Sequence, residues 1–231
     1  MRQIDLFNIH YRPCARPAGG IVSQYFVGGA DRLGARYADM RALESIWRHP
    51  WSDMDIVGFQ GYRKHINFRD PTPGWTPAHL PHFQAYQDWL YKWDGKLVRD
   101  LLMEHDIIVT DAFDVRFDGD ITGNFRRSRS PHDWLMLEHV VAQHGLKFDF
   151  HMPDVTSYFF VTTLPVFQSY MKIWWPVFRD LEPLVTAEDA HDGAYKALPL
   201  AYLSEFFFSM WLNQSGLKKK IMPLMICWDA R

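Results

Sequence analysis

The sequence lacks most of the features that mark common chemistries. Only two cysteines occur in 231 residues, Cys14 and Cys227, far apart and outside any C-x-x-C pair. Neither a disulfide scaffold nor a cysteine zinc site is expected, and a reducing cytoplasm fits. Eleven histidines are present, but none falls in H-E-x-x-H or in a two-histidine-plus-carboxylate spacing, so a zinc hydrolase has little support. G-x-G-x-x-G, the P-loop and G-x-S-x-G are also missing, which removes the usual dinucleotide, P-loop and serine-hydrolase classes. No apolar run is long enough to span a bilayer, and the opening Met1-Arg2-Gln3-Ile4-Asp5-Leu6-Phe7 is an apolar strand interrupted by Asp5 rather than a signal region. Neither secretion by a standard signal nor a membrane span is therefore expected. A formal net charge of -2 gives no electrostatic reason to expect nucleic acid.

What the chain does have is apolar and aromatic bulk. Hydrophobic residues make up 48% and aromatic residues 16%, enough for a large core without covalent staples. Trp174-Trp175 and the Phe206-Phe207-Phe208 run fit that core, with a surface touching lipid or a partner as the alternative. There is no internal repeat and no low-complexity segment.

Strands are expected at Ile4 to His10, Ile21 to Val27, Ile56 to Phe59, Asp106 to Thr110, Ser157 to Thr162 and Ile221 to Cys227. Helices are expected at 35–49, where Tyr37, Met40, Leu43, Ile46 and Trp47 recur at helical spacing before Pro50, and then at 84–93, 96–104, 131–144, 164–181 and 198–214. Asn67 to Pro81 is rich in Pro, Thr and Gly and reads as a loop, as does Asp111 to Ser130. The alternation predicts one α/β domain over residues 1–231 with a mostly parallel sheet.

In an open α/β sheet, ligands bind at the carboxyl ends of the strands. This draws attention to Asp55–His65, where an apolar strand runs into Gln60-Gly61-Tyr62-Arg63-Lys64-His65. A guanidinium forks onto phosphate oxygens, a lysine adds a point charge, and a tyrosine stacks or donates a hydrogen bond. The bland alternative is a solvated basic strand end. His10, His65 and His132 fall at a strand end or helix start, where surface and packing roles compete with function. Asp118-Gly119-Asp120, with Asp111 and Asp114 upstream, is able to hold Mg²⁺ or Mn²⁺ against a diphosphate, although Asp-Gly in a loop is also ordinary turn chemistry. No metal is assigned. Asp133 stands in the first turn of its helix, where the dipole favours an anion.

Several blocks together resemble a bacterial glycosyltransferase family of capsule and lipopolysaccharide gene clusters, long catalogued as a domain of unknown function. Its members carry an N-P-x-Y-C-E-L-T-A-L-Y-W-x-W-K-N helix and then a strand ending V-G-L-x-H-Y-R-R-Y. The helix here reads Ala35-Arg36-Tyr37-Ala38-Asp39-Met40-Arg41-Ala42-Leu43-Glu44-Ser45-Ile46-Trp47-Arg48-His49, and the strand reads Val57-Gly58-Phe59-Gln60-Gly61-Tyr62-Arg63-Lys64-His65. The likeness continues in Asp106-Ile107-Ile108-Val109, in Pro131-His132-Asp133-Trp134-Leu135, and in Phe159-Phe160-Val161 with the helix from Phe167 to Phe178. It closes with Ala201-Tyr202-Leu203-Ser204-Glu205 and Met222-Pro223-Leu224. Gly61 stands where the family has histidine, Lys64-His65 where it has Arg-Tyr, Asp39 where it has glutamate, Arg41 where it has threonine, and Phe206 where it has arginine.

The resemblance implies a Rossmann-like domain of the glycosyltransferase A type. It also implies hexosyl-type transfer from a nucleotide-sugar donor, UDP-sugar first, to a glycan or lipid-linked glycan acceptor of a cell-surface polysaccharide or lipopolysaccharide. The cytoplasm is the expected place, with the inner face of the cytoplasmic membrane as a variant. On this reading His10, Tyr11, Arg12 and Asp39 are expected to help bind the nucleoside, Tyr62 and Lys64 to face the diphosphate with Arg63, and Gln60, Gly61 and Ser204 to line the donor site. Asp133 and Glu205 are the candidates for general base. A structural role for Glu205, orienting the basic cluster, is the competing reading. In related folds a metal-binding D-x-D ends the strand that here ends in Gly61-Tyr62-Arg63, so the resemblance implies cationic and hydrogen-bonding groups in its place. Two alternatives from other classes are a non-catalytic glycan-binding or assembly subunit and a metal-dependent phosphotransferase using Asp111, Asp114, Asp118 and Asp120.

Overall fold

The computed structural model describes residues 3–10, 19–26, 40–48, 55–61, 63–70, 75–110, 131–149, 159–185 and 199–227. At its centre is strand β3 (Ile56–Gly61), buried at every position. Strand β1 (Ile4–His10) lies parallel to it, with Ile4 beside Ile56 and Ile9 beside Gly61, and β2 (Val22–Phe26) lies parallel to β1 beyond. Against the other edge of β3, β7 (Phe160–Thr163) runs antiparallel over Ile56 to Phe59. Next come β6 (Ile107–Thr110), antiparallel to β7, and β8 (Lys219–Met222), parallel to β6. The chain then turns back on β3 itself, Gly61 pairing with Lys64 of β4 (Lys64–Ile66). β4 carries β9 (Leu224–Cys227) antiparallel, and β9 carries β5 (Trp75–Ala78) parallel.

Of these nine strands only β4 and β7 are reversed, so the sheet is mostly parallel in direction, as the strand–helix alternation predicts. The apolar openings of β3, β6 and β7, Ile56–Phe59, Ile107–Val109 and Phe160–Val161, suit strands covered on both faces. Gly58 is required by this crowding. A Cβ there would come within 2.7 Å of Leu6 Cδ1 on β1 and 2.8 Å of Val161 Cγ2 on β7.

Six helices are described: α1 (Met40–Arg48), α2 (Leu80–Leu90), α3 (Lys96–Glu104), α4 (Pro131–Gln143), α5 (Leu164–Leu181) and α6 (Pro199–Gln214). The pleat sends Phe7 and Phe59 to one face, where α5 and α6 meet them. The Phe59 ring lies 5.1 Å from those of Phe160 and Phe167, and Phe160 stacks on Phe208 at 5.0 Å. Such a pair adds about 0.5–1.5 kcal/mol beyond the area it buries. Trp174 and Phe206–Phe208 are accordingly core, while Trp175 is half-buried at the rim with the Arg48 guanidinium 4.2 Å above its ring. The other face holds α2, fixed to β4 through Tyr86. Its hydroxyl donates to the Ile66 carbonyl at 2.6 Å and accepts from the Phe68 N–H at 3.1 Å.

Three expectations change. The presumed loop Asn67–Pro81 contains β5, and α2 begins at Leu80 rather than four residues later. β5 lies at one end of the sheet, where proline is tolerated because a missing N–H breaks no interior ladder. The single closing strand expected at Ile221–Cys227 is two strands separated by Pro223, whose carbonyl instead accepts from the Asn67 N–H at 2.8 Å. Among the described residues, no helix is long and apolar enough to cross a membrane.

Candidate functional site

The carboxyl ends of β1, β2 and β3 lie side by side, and the turn from β3 into β4 carries Arg63. Register sorts the side chains. Gln24, Asn8 and Gln60 are direct partners across β2, β1 and β3, and one further step of the Gly61–Lys64 pairing sets Gln60 opposite His65. These four polar residues form one row on the α2 face, opposite the Phe7 and Phe59 row. In strands otherwise apolar at this depth, such a row is unusual.

At its β2 end the row is hydrogen-bonded. His10 Nε2 lies 2.6 Å from Gln24 Oε1 and 3.0 Å from Asn8 Nδ2, so its tautomer decides whether it donates to the first or accepts from the second. Asn8 Nδ2 approaches the same oxygen at 3.3 Å, and Gln24 Nε2 donates to the Tyr91 hydroxyl. Burial lowers the His10 pKa below its ordinary 6.5, against a smaller raising effect of the Gln24 hydrogen bond, and the ring is neutral near pH 7.

At its β4 end the row is buried and its polar atoms are unpaired. Gln60 is 0% exposed and His65 1%, and neither the two carboxamide atoms of Gln60 nor the two ring nitrogens of His65 make a hydrogen bond. Asn8 Oδ1 is likewise unpaired. The His65 ring packs 4.7 Å from that of Phe83 and 6.1 Å from that of Tyr86. Burial first, and then the nearby His10, push its pKa down to about 3.

Above the row, Arg63 and Lys64 are half-buried. The Arg63 carbonyl accepts from the Cys227 N–H at 2.9 Å, tying the turn to β9, and Lys64 Nζ stands 6.0 Å from the Phe159 ring centroid. Phe159 also accounts for Gly61, since a Cβ at that position would lie 3.0 Å from the ring's Cζ. The aromatic ring fills the space that a side chain at position 61 would need.

Asp133, Ser204 and Glu205 belong to a second group. Asp133 is buried in the first turn of α4, and its neighbour Trp134 meets Phe206 of α6 edge-on with ring centroids 6.0 Å apart. Glu205, half-buried, directly precedes Phe206, so Asp133 and Glu205 are each the chain neighbour of a residue in that contact. Ser204 is fully buried, and its Oγ accepts from the Trp174 indole N–H at 3.2 Å, which ties α6 to α5.

The expected site residues thus fall at two places: His10, Gln60, Gly61, Arg63 and Lys64 at the strand ends, and Asp133, Ser204 and Glu205 at the α4–α6 contact. Tyr11, Arg12, Asp39 and Tyr62 lie outside the described residues, as do Asp111, Asp114, Asp118 and Asp120. Among the described residues, no group of three His, Cys, Asp or Glu side chains is placed to hold a metal ion. Sequence reasoning missed Asn8, Gln24 and Tyr91 and gave His65 no role. The signal available was a polar residue recurring at the inward positions of buried strands: Asn8 and His10 two apart on β1, and Gln60 on β3.

The family model described as "Domain of unknown function (DUF4422)" matches residues 32–216. No curated protein matches the sequence. Among solved structures, the apo form of WbbM, a bifunctional glycosyltransferase, superposes with a TM-score of 0.75 at 15% identity. The match covers 99% of this chain and 46% of that one, so the chain spans about half the length of its structural neighbour. At that identity the likeness establishes a shared glycosyltransferase-like α/β fold.

Proposed function

This chain belongs to the DUF4422 family, and from that premise we propose that it is a glycosyltransferase that moves a hexosyl group from a nucleotide-sugar donor, with UDP-sugar preferred, to a growing cell-surface polysaccharide or lipopolysaccharide. Residues 1–231 act in this reading as one glycosyltransferase-like domain. One observation carries it. The half-buried cations Arg63, in the turn closing β3, and Lys64, the first residue of β4, stand at the carboxyl end of the parallel block of β1, β2 and β3. Ligands of open α/β sheets bind at such strand ends.

The chemistry follows from charge. Breaking the anomeric C–O bond leaves the pair of electrons on a diphosphate oxygen, and Arg63 and Lys64 meet that charge as it grows. The guanidinium forks onto two oxygens, and Lys64 adds a point charge. Tyr62 adds a hydroxyl donor, and Tyr11, Arg12 and Asp39 complete the nucleoside end. Asp133 and Glu205, chain neighbours of the residues in the α4–α6 contact, are the candidates to take the acceptor's hydroxyl proton. Ser204 holds α6 in place through Trp174. The acceptor is a glycan or lipid-linked glycan, reached in the cytoplasm, with the inner face of the cytoplasmic membrane as a variant.

The decisive experiment is transfer by Arg63→Ala with a panel of UDP-, GDP- and CMP-sugars. Loss of one preorganised donor lowers turnover by about 10²–10³. A change smaller than about threefold removes Arg63 from this role. If no member of the panel binds or raises the melting temperature, the result favours a glycan-binding or assembly subunit instead.

A further inference from the structure

The row beneath the cationic turn has chemistry of its own. Asn8 Oδ1, Gln60 Oε1 and Nε2, and His65 Nδ1 and Nε2 are five polar atoms that make no hydrogen bond, on residues at most 1% exposed. They are not scattered, because Asn8 and Gln60 are direct partners across β1 and β3 and the hairpin register sets His65 beside Gln60 on β4. A buried polar group without a partner is costly, and apolar side chains of the same shape would remove the penalty. Two residues earlier on the same face, β1 has Leu6 and β3 has Gly58.

We propose that Asn8, Gln60 and His65 are the specificity-determining floor of the donor site, receiving an uncharged ring that bears both hydrogen-bond donors and acceptors. The proposal rests on the donor-site reading above and deepens it. Carboxamide and neutral imidazole each offer one donor and one acceptor face, which suits a nucleobase edge or sugar hydroxyls and does not suit a phosphate. The neutrality is built in, because burial keeps His65 uncharged and His10 beside it is neutral too. Charge for the diphosphate is supplied one row higher, by Arg63 and Lys64. The five atoms meet no solvent, so a ring reaches them only as their cover gives way.

The base and the sugar are the two sources of such a ring, and the experiment has an arm for each. Full-length wild type, Gln60→Met and His65→Phe are titrated calorimetrically, first with UDP, GDP and CDP, then with UDP-sugars that differ in the configuration of one hydroxyl. Melting temperatures are recorded without ligand. The expected result is that both variants melt at or above the wild-type temperature, since an unmade pair is removed. In one arm their discrimination falls by about tenfold or more, as loss of a reading hydrogen bond requires. A fall in the first arm assigns the floor to the base, and a fall in the second to the sugar. Wild-type discrimination kept within about twofold in both arms overturns the floor, and so does a lower melting temperature in both variants, which would place the atoms' partners within the fold. Wild type that binds nothing in either arm removes the donor reading itself and the floor with it. If His65→Phe does not fold, Gln60→Met decides, because methionine matches glutamine in length.

Discussion

Histidine in place of Gly61 measures how tightly the strand end is built. The Cβ of residue 61 would lie 3.0 Å from Phe159 Cζ and 3.5 Å from Cε1, so even alanine requires the ring to give by a few tenths of an ångström. For Gly61→Ala the overpacking penalty, about 1 kcal/mol, is largely offset by the loss of about 0.4–1 kcal/mol of unfolded-chain freedom. A full imidazole has no such compensation, and Gly61→His is expected to lose about 2–3 kcal/mol. At this chain length that lowers the melting temperature by roughly 4–12 °C.

Phe159→Ala removes the obstacle, at a loss of about 3–5 kcal/mol for an emptied aromatic site. If the ring fills the space of a side chain at 61, the double variant Gly61→His/Phe159→Ala is more stable than the sum of the singles by about 1 kcal/mol or more, the size of a direct contact coupling. Urea denaturation of the four proteins, read by near-ultraviolet circular dichroism, gives the cycle. Additivity within about 0.3 kcal/mol, or a Gly61→His protein as stable as wild type, refutes the steric account. The same geometry ranks Gly58→Ala as the worse alanine substitution, because its Cβ is blocked from two strands at 2.7 and 2.8 Å.

Asp133→Asn and Glu205→Gln separate base from scaffold: the base variant should lose about 10²–10⁴ in kcat with donor Kd nearly unchanged, whereas a residue that orients the basic cluster should weaken binding. Tyr170→Phe removes a buried hydroxyl that makes no hydrogen bond, and should raise stability by about 1 kcal/mol in urea titration; a drop would mean that the hydroxyl is bonded in solution. His65 gives the fold an acid sensitivity. Its pKa falls from 6.5 unfolded to about 3 folded, so its contribution is complete above pH 6.5 and is lost as pH falls towards 3, because the unfolded chain takes the proton first. The slope reaches about 1.4 kcal/mol per pH unit at most, and His65→Phe should flatten the stability profile between pH 4 and 6; an unchanged profile refutes the buried neutral state.

The parts of the fold that were legible in the sequence are those whose signal is local. β1, β3 and β6 are apolar runs of strand length, and α3, α4, α5 and α6 show their boundaries through proline, glycine and helical spacing. β4 and β5 were not legible, for one physical reason. A three-residue strand and a strand containing Pro77 have no periodicity of their own and exist because β9, about 150–160 residues later, pairs with both. Pro223 points the same way, since it divides what reads as one apolar strand into β8, which belongs to β6, and β9, which belongs to β4 and β5.

The site divides along the same line. The basic turn could be read from residue types because Arg63 and Lys64 follow an apolar strand directly. The row beneath it could not, because Gln24, Asn8, Gln60 and His65 come from four strands and become one surface only through register. Taken singly, each is a polar residue with an ordinary structural explanation. Taken together, their burial calls for partners, and the fold supplies them at the β2 end, through His10 and Tyr91, but not at the β4 end. That asymmetry separates a satisfied structural network from a reading surface. A network kept for stability alone would be closed along its whole length, whereas this one stops being satisfied where the strand ends reach the cationic turn.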